Sequence, residues 1–426
     1  MPLLVFVDSV AFRWGWLGST QRYFQMAEAL AELGWDVAIV TRRDNRYLPA
    51  AREVEKAFRG RIFRTPFGTF PSLVDHRGLR HAWWLAREWS GRRASADEAW
   101  ARRLTNWSGR YKPKSPLQTA DLLCGVAFRG WEVVAAVRLL AQERGIPYWV
   151  DLQDPLEGTA GIGEAVLSDE QIRPLRDAKQ IVTTTDAYAA HLRETLPQEA
   201  DKIECLRLTR NISARTGANS APNDGRLVLV HAGHLYGLPD RSAVPVLQAM
   251  ARLYDKVPFA RGKVTLRLVG SGPGMHEAVA EANKLGVRQD LECLPAMPPD
   301  AMNRYVDGAD VLCVLKSAVN RRDYQLPGKT YDYLFSNKPV LAVTFPGELA
   351  TIIEETGSGF VVNPGDVERM ASVLGQLLEQ KQAVGSVAQE RDPDKLRPYS
   401  FETFRQKLER VLTSSAPAGP GLPPGI

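Results

Sequence analysis

The chain has 426 residues, more than one hydrophobic core holds, and ordinary domain sizes predict two or three domains. With 44% apolar and 24% charged residues it sits at globular averages, which excludes a disordered, collagen-like or coiled-coil protein. The 54 Lys+Arg against 49 Asp+Glu leave +5, too small an imbalance to announce nucleic-acid binding. Cys124, Cys205, Cys293 and Cys313 lie far apart, with no CxxC pair and no histidine at metal-ligand spacing, and read as reduced core thiols of a cytoplasmic protein. The first apolar run, Leu3 to Val7, lacks a basic leader, and no run approaches the roughly 20 apolar residues of a membrane span.

In chain order, short apolar runs alternate with helical patterns. Leu3 to Val7, Asp36 to Val40, Leu122 to Val126, Tyr148 to Asp151, Ile181 to Thr184 and Ile203 to Leu208 read as strands of a parallel sheet. Between the first two, Tyr23, Met26, Ala27, Leu30 and Leu33 recur at helical spacing and Gly34 stops the helix, which makes a Rossmann opening. The polar stretch 213–225 reads as a linker. A second alternation follows: Leu227 to His231, Val264 to Val269, Leu291 to Leu294, Asp310 to Leu315, Pro339 to Val343 and Phe360 to Val362. A last amphipathic helix, Phe401 to Leu412, precedes a Pro/Gly/Ser-rich tail over 414–426 that is expected to be disordered. The expected fold class is α/β, with two Rossmann-like domains over 1–212 and 226–396, a basic Trp-rich insertion at 42–114 in the first, and a helix at 397–413 crossing back to it. Two such domains facing one another place their strand C-termini at a central cleft, where open α/β sheets bind ligands.

Several motifs fall at such strand ends. Gly15 and Gly18 follow the first strand, where glycine lets a backbone approach a phosphate beside a helix N-terminus; they equally suit a plain strand-to-helix turn. The second glycine turn, Val269-Gly270-Ser271-Gly272-Pro273-Gly274, reads first as tight turn geometry. In Leu326-Pro327-Gly328-Lys329-Thr330-Tyr331-Asp332, a Pro-Gly turn opens a helix, Lys329 adds a positive charge, and Asp332 lies one turn along. That set suits a diphosphate on the lysine and a ribose diol on the carboxylate, or else a solvated Lys/Asp face.

The segment Leu326 to Ala342 resembles the Pro-Ser-Lys-x-x-Glu-Tyr-Leu-x-x-Gly-Lys-Pro-Val-Leu stretch of the retaining nucleotide-sugar glycosyltransferases of family 4, which have the GT-B fold. The likeness extends over almost the whole chain. Val230 to Gly237 is similar to the first strand and glycine turn of the family's donor domain, and Pro147 to Pro155 to a Pro-Trp-x-x-Asp-x-Arg-Asp-Pro-Trp stretch of one bacterial branch. The resemblance implies transfer of a sugar from a nucleotide diphosphate donor, with retention, to a glycan or lipid-linked glycan in cell-surface polysaccharide synthesis. It implies no cofactor and no metal. Gly18, Gly233, Arg241, Gly270, Lys329, Thr330 and Asp332 would hold the donor. Asp332 stands for the second of two family glutamates, and Tyr324 falls where the first is expected unless Asp323 serves. Arg241 with Lys329 would neutralise the diphosphate, as fixed cations stabilise a leaving group. Asp154 or Asp151 would position the acceptor hydroxyl, or cap a turn. His231, inside the strand, reads as structural, and His234 as a residue meeting sugar or phosphate.

Residues 42–114 hold 18 Lys+Arg against 7 Asp+Glu, together with Trp83, Trp84, Trp89, Trp100 and Trp107. That mixture suits an anionic membrane surface or a polyanion, which predicts a cytoplasmic protein peripheral at the membrane's inner face; the same stretch also reads as a helical insertion whose tryptophans pack on the first domain. A nucleotide-sugar epimerase and a non-catalytic nucleotide-sugar or polyanion-binding protein are the competing functions. A dinucleotide oxidoreductase is disfavoured by the missing GxGxxG, and a nucleic-acid partner is not expected.

Overall fold

The computed structural model describes residues 1–12, 18–44, 49–67, 96–107, 115–127, 131–155, 169–209, 224–297, 299–316 and 324–415. The chain divides into two compact units, Met1–Leu208 with Phe404–Ile426, and Thr209–Thr403.

The first unit holds a seven-stranded sheet in the order β3-β2-β1-β4-β5-β6-β7. Its strands are β1 Leu3–Val7, β2 Asp36–Thr41, β3 Arg61–Arg64, β4 Leu122–Ala127, β5 Tyr148–Leu152, β6 Gln180–Thr183 and β7 Ile203–Cys205. Every pairing is parallel. Strands of such a sheet are covered on both faces, so β1 and β4 are buried at every position and read as continuous apolar runs. The helix Gly18–Glu32 returns across the sheet with Tyr23, Met26 and Leu30 buried, and ends before Gly34, whose φ of +77° suits a glycine stop.

The stretch 42–114 is not a single insertion. Its helix Pro49–Ala57 leads into β3, which pairs with β2 from Ala38↔Arg61 to Thr41↔Arg64 and forms the sheet edge. Arg61 and Arg64 suit an edge, where charge discourages pairing with another chain, and they break the apolar run by which a buried strand shows in sequence. In the helix Ala96–Trp107, Trp100 is fully buried and its Nε1 donates to Thr65 Oγ1 at 3.1 Å, while Trp107 meets Phe67 edge to face at 5.3 Å between ring centroids. Trp100 therefore serves the core and not a surface. Trp83, Trp84, Trp89, Arg87, Arg92 and Arg93 lie outside the described residues.

Asp151 also requires a correction. Its carboxylate is 1% exposed and accepts from Arg22 Nε at 3.0 and 2.8 Å and from Arg22 Nη2 at 2.6 Å. Arg22 Nη1 donates to the Leu206 carbonyl at 2.6 Å, and Gln153 Nε2 to Asp151 Oδ2 at 3.2 Å. A buried pair is tolerated only when its remaining donors and acceptors are met, and here they are. Asp151 thus ties β5 to the first helix and to the end of β7, with no oxygen left to position an acceptor hydroxyl. Asp154, 7% exposed, lies in the bend just past β5.

The second unit holds a six-stranded parallel sheet in the order β10-β9-β8-β11-β12-β13. Its strands are β8 Leu227–His234, β9 Val264–Ser271, β10 Leu291–Pro295, β11 Val311–Lys316, β12 Val340–Thr344 and β13 Gly359–Val362. The core joins Leu229, Leu266, Leu268, Val311, Leu341 and Val343 of the sheet to Leu247, Met250, Leu253, Leu374 and Leu377 of the helices Val244–Lys256 and Val367–Val384. Inside it, Lys381 Nζ meets Asp310 Oδ1 at 2.9 Å with both side chains at most 2% exposed, and Asp310 Oδ2 accepts from the Val228 amide at 2.9 Å. Cys124, Cys205 and Cys313 are buried, whereas Cys293 is exposed on the edge strand β10 and is not a core thiol. The terminal helix runs Phe401–Ser415, two residues beyond the expected end, and 416–426 lie outside the described residues.

Candidate functional site

In the second unit the strand order reverses between β8 and β11, the switch point at which open α/β sheets bind ligands beyond the strand C-termini. The β8–β11 ladder pairs Leu229 with Val311 and Val230 with Leu312, and goes no further. At the next position His231, 1% exposed, reaches with Nδ1 to the Cys313 carbonyl at 3.1 Å. A carbonyl only accepts, so Nδ1 carries the proton and Nε2 is left as an acceptor. Lys329 Nζ lies 3.0 Å from that Nε2.

Burial, with Arg241 adding repulsion, lowers the Lys329 pKa to about 7. Burial and then the Lys329 charge hold His231 well below the usual histidine range, against the opposing Cys313 hydrogen bond. Arg241 lies over the Tyr236 ring at 5.1 Å, and its Nε is buried without a hydrogen-bond partner. Among the described residues no carboxylate pairs with Lys329 or Arg241. His234 Nδ1 meets Ser271 Oγ at 3.1 Å, its ring lies edge-on to Tyr236 at 4.5 Å, and its pKa is lowered by burial, Arg241 and Lys329.

Glycines make this packing possible. Gly233 has φ +138°, and a Cβ there would stand 2.8 Å from Lys329 Nζ. A Cβ on Gly270 would fall 1.9 Å from the Gly233 carbonyl oxygen, one on Gly272 2.2 Å from that of Leu235, and one on Gly274 2.8 Å from the Gly237 nitrogen. The second glycine turn is therefore a seat for the loop carrying Tyr236 and Arg241. Glu277 fastens that loop, accepting from the Leu238 amide at 3.1 Å and from Ser242 Oγ at 2.7 Å.

Of the residues singled out by sequence, Gly233, His234, Arg241, Gly270 and Lys329 come together at the ends of β8 and β9. Thr330 is fully buried on the helix Lys329–Leu334, its hydroxyl without a hydrogen-bond partner, and Asp332 is half-buried on the same helix. Gly18, Asp151 and Asp154 belong to the first unit, and Gly15 and Asp323 lie outside the described residues. Sequence reading missed His231 as a partner of Lys329, its only signal being an imidazole in an otherwise apolar strand, and missed Glu277 altogether. Among the described residues no group of three or more His, Cys, Asp or Glu forms a metal-ligand set.

Known proteins of similar fold bear on this geometry. The chain superposes along its length on the lipopolysaccharide outer core galactosyltransferase WaaB (10% identity, 97% of this chain and 99% of that one, TM-score 0.61). It does so equally on Anabaena HepE in complex with UDP and glucose (14%, 96% and 99%, 0.61), and on an S. aureus TarM variant in complex with Fondaparinux, alpha-GlcNAc-glycerol and UDP (10%, 96% and 99%, 0.63). Residues 226–380 match the family model described as glycosyl transferases group 1, and residues 18–209 the glycosyl transferase 4-like domain. This chain is a GT-B glycosyltransferase. No curated protein sequence matches it. The glycosyltransferase carries Lys329, Arg241 and His231 within the group 1 region, and the Arg22–Asp151 pair within the 4-like region.

Proposed function

We propose that this enzyme is a retaining transferase of family 4. It takes a sugar from a nucleoside diphosphate bound at the end of β8 and passes it to a glycan or lipid-linked glycan during cell-surface polysaccharide synthesis. The observation that carries the reading is the pair of cations, Lys329 and Arg241, gathered at a sheet switch point with no carboxylate among the described residues paired to either. Holding two such charges together costs free energy that only an anion recovers. The names of the similar structures agree, two of them containing UDP and one a lipopolysaccharide galactosyltransferase.

Negative charge grows on the diphosphate as the anomeric C–O bond breaks, and the two cations are placed to stabilise it without a metal. Retention follows if the acceptor oxygen bonds to the same face while its proton passes to the departing phosphate oxygen. Asp332 is assigned to the ribose diol and Asp154 to the acceptor hydroxyl. The basic stretch 42–114 is assigned to weak attachment at an anionic membrane surface on the cytoplasmic side, through its arginines and not through Trp100.

The test is calorimetry and thermal shift with a panel of nucleoside diphosphates. Lys329→Ala is expected to weaken binding by about 1.5–3 kcal/mol, the scale of hydrogen bonds to charged groups, with little change in Tm. Unchanged affinity sinks the reading. Incubation with donor alone separates the competing functions, since an epimerase converts it without an acceptor and a binding protein leaves it intact with or without one.

A further inference from the structure

We propose that His231 is the positioning residue for Lys329: its bare Nε2 accepts one N–H of the amine and leaves the others to meet the diphosphate. This rests on the reading of Lys329 as a donor-binding residue and names the group that holds it in place. A lysine is a point charge on a four-carbon stem with roughly 2 kcal/mol of rotamer entropy, so it needs an anchor to act as a fixed cation. Two contacts and the space left by a glycine supply one. Nζ lies 3.0 Å from Nε2, and the missing side chain of Gly233 leaves it room, since a Cβ there would stand only 2.8 Å away. The ring is itself clamped by Nδ1 on the Cys313 carbonyl at 3.1 Å, and Cys313 sits in the interior strand β11, in register with Leu341 of β12.

The chemistry of the anchor matters as much as its position. A carboxylate in place of the imidazole would hold the amine equally well but cancel its charge and repel a diphosphate. A neutral imidazole holds the amine and leaves the charge for the ligand. A protonated ring would turn an N–H toward the amine, and burial with the neighbouring Lys329 and Arg241 keeps that form away.

The opposing explanation is that His231 serves only the fold, through Cys313. Two substitutions in the full-length protein separate the ideas. His231→Asn keeps a donor at the Nδ1 position for Cys313 and has nothing at Nε2, whereas His231→Gln carries an acceptor oxygen out to the Nε2 position. The probes are UDP and inorganic pyrophosphate, read by calorimetry, with Tm measured alongside. Expected are a tenfold or greater loss of affinity for both probes in His231→Asn at near wild-type Tm, recovery of most of it in His231→Gln, and loss in Lys329→Met. Binding by His231→Asn within twofold of wild type, with Lys329→Met impaired, overturns the positioning role and leaves the donor reading standing. If Lys329→Met also binds normally, the donor reading falls and takes this one with it. A lowered Tm in His231→Asn, with His231→Gln no better at binding, assigns His231 to the fold and overturns the proposal.

Discussion

On the proposed reading, with Lys329 on the diphosphate, nucleotide binding is linked to a proton. Its pKa of about 7 in the folded protein lies below the roughly 10.4 of an unfolded lysine, so between those values the unfolded chain binds more protons and stability rises with pH. Binding runs the other way, because a diphosphate favours the ammonium. Above pH 7 the site must take up a proton, and nucleoside diphosphate affinity is expected to fall as pH rises from 7 to 9. The groups facing Lys329 do not share this window: His231 and His234 of β8 have lowered pKa values, and burial pushes the Cys313 thiol of β11 up. Lys329→Arg, permanently charged, should flatten the profile, and calorimetry across pH 6.5–9 checks both. Asp332→Asn, by contrast, should weaken ribonucleotides more than 2′-deoxyribonucleotides at any pH in that range, and equal losses would remove Asp332 from the ribose.

At the scale of elements, the site depends on strands that approach more closely than side chains allow. Gly270→Ala places a methyl inside the Gly233 backbone contact, so the ends of β8 and β9 must part. A cost of about 1–3 kcal/mol is expected, the scale of overpacking, together with lost nucleotide binding. A variant that melts and binds as wild type would show that the two turns are not interlocked. The buried Lys381–Asp310 pair joins the helix Val367–Val384 to the residue preceding β11, and Asp310 also accepts from the backbone of β8. Lys381→Met strands a buried carboxylate, which predicts a loss of about 3–5 kcal/mol in urea unfolding. A loss below 1 kcal/mol would mean that Asp310 finds water or a proton instead.

For the molecule as a whole, the chain's return to its first unit is the feature open to test. Phe404, Leu408, Val411 and Leu412 of the terminal helix are buried, and Arg405 reaches Glu32 of the first helix at 3.5 Å. Each large apolar side chain taken from water contributes about 1.5–3 kcal/mol. Removing residues 404–426 should therefore lower the Tm of the first unit, while the second unit, whose core contains none of these residues, keeps its own. A single unchanged melting transition would argue against the packing of that helix. Vesicle sedimentation at low and high salt tests the membrane assignment, and no sedimentation with anionic vesicles at low salt removes it.

Both sheets were legible in the sequence because parallel strands buried on two faces leave continuous apolar runs, as in Leu3 to Val7 and Val311 to Leu315. Lys329 and Arg241 were singled out through the family resemblance, since a Lys/Asp face beside a Pro-Gly turn reads equally as solvated surface, while the second glycine turn was legible as tight turn geometry. β3 escaped because an edge strand needs no such run, and Arg61 and Arg64 broke its pattern. Asp151 read one way in sequence and another in space, and His231, read as structural, gained a partner that sequence did not show, for the same reason. A buried polar group is defined by its partner, and Arg22 lies 129 residues from Asp151 while Lys329 lies 98 from His231. Local composition fixes where strands and turns fall. Only the tertiary fold brings a carboxylate to an arginine or an imidazole to an amine, and so decides which polar residues hold the protein together and which stand ready for a ligand.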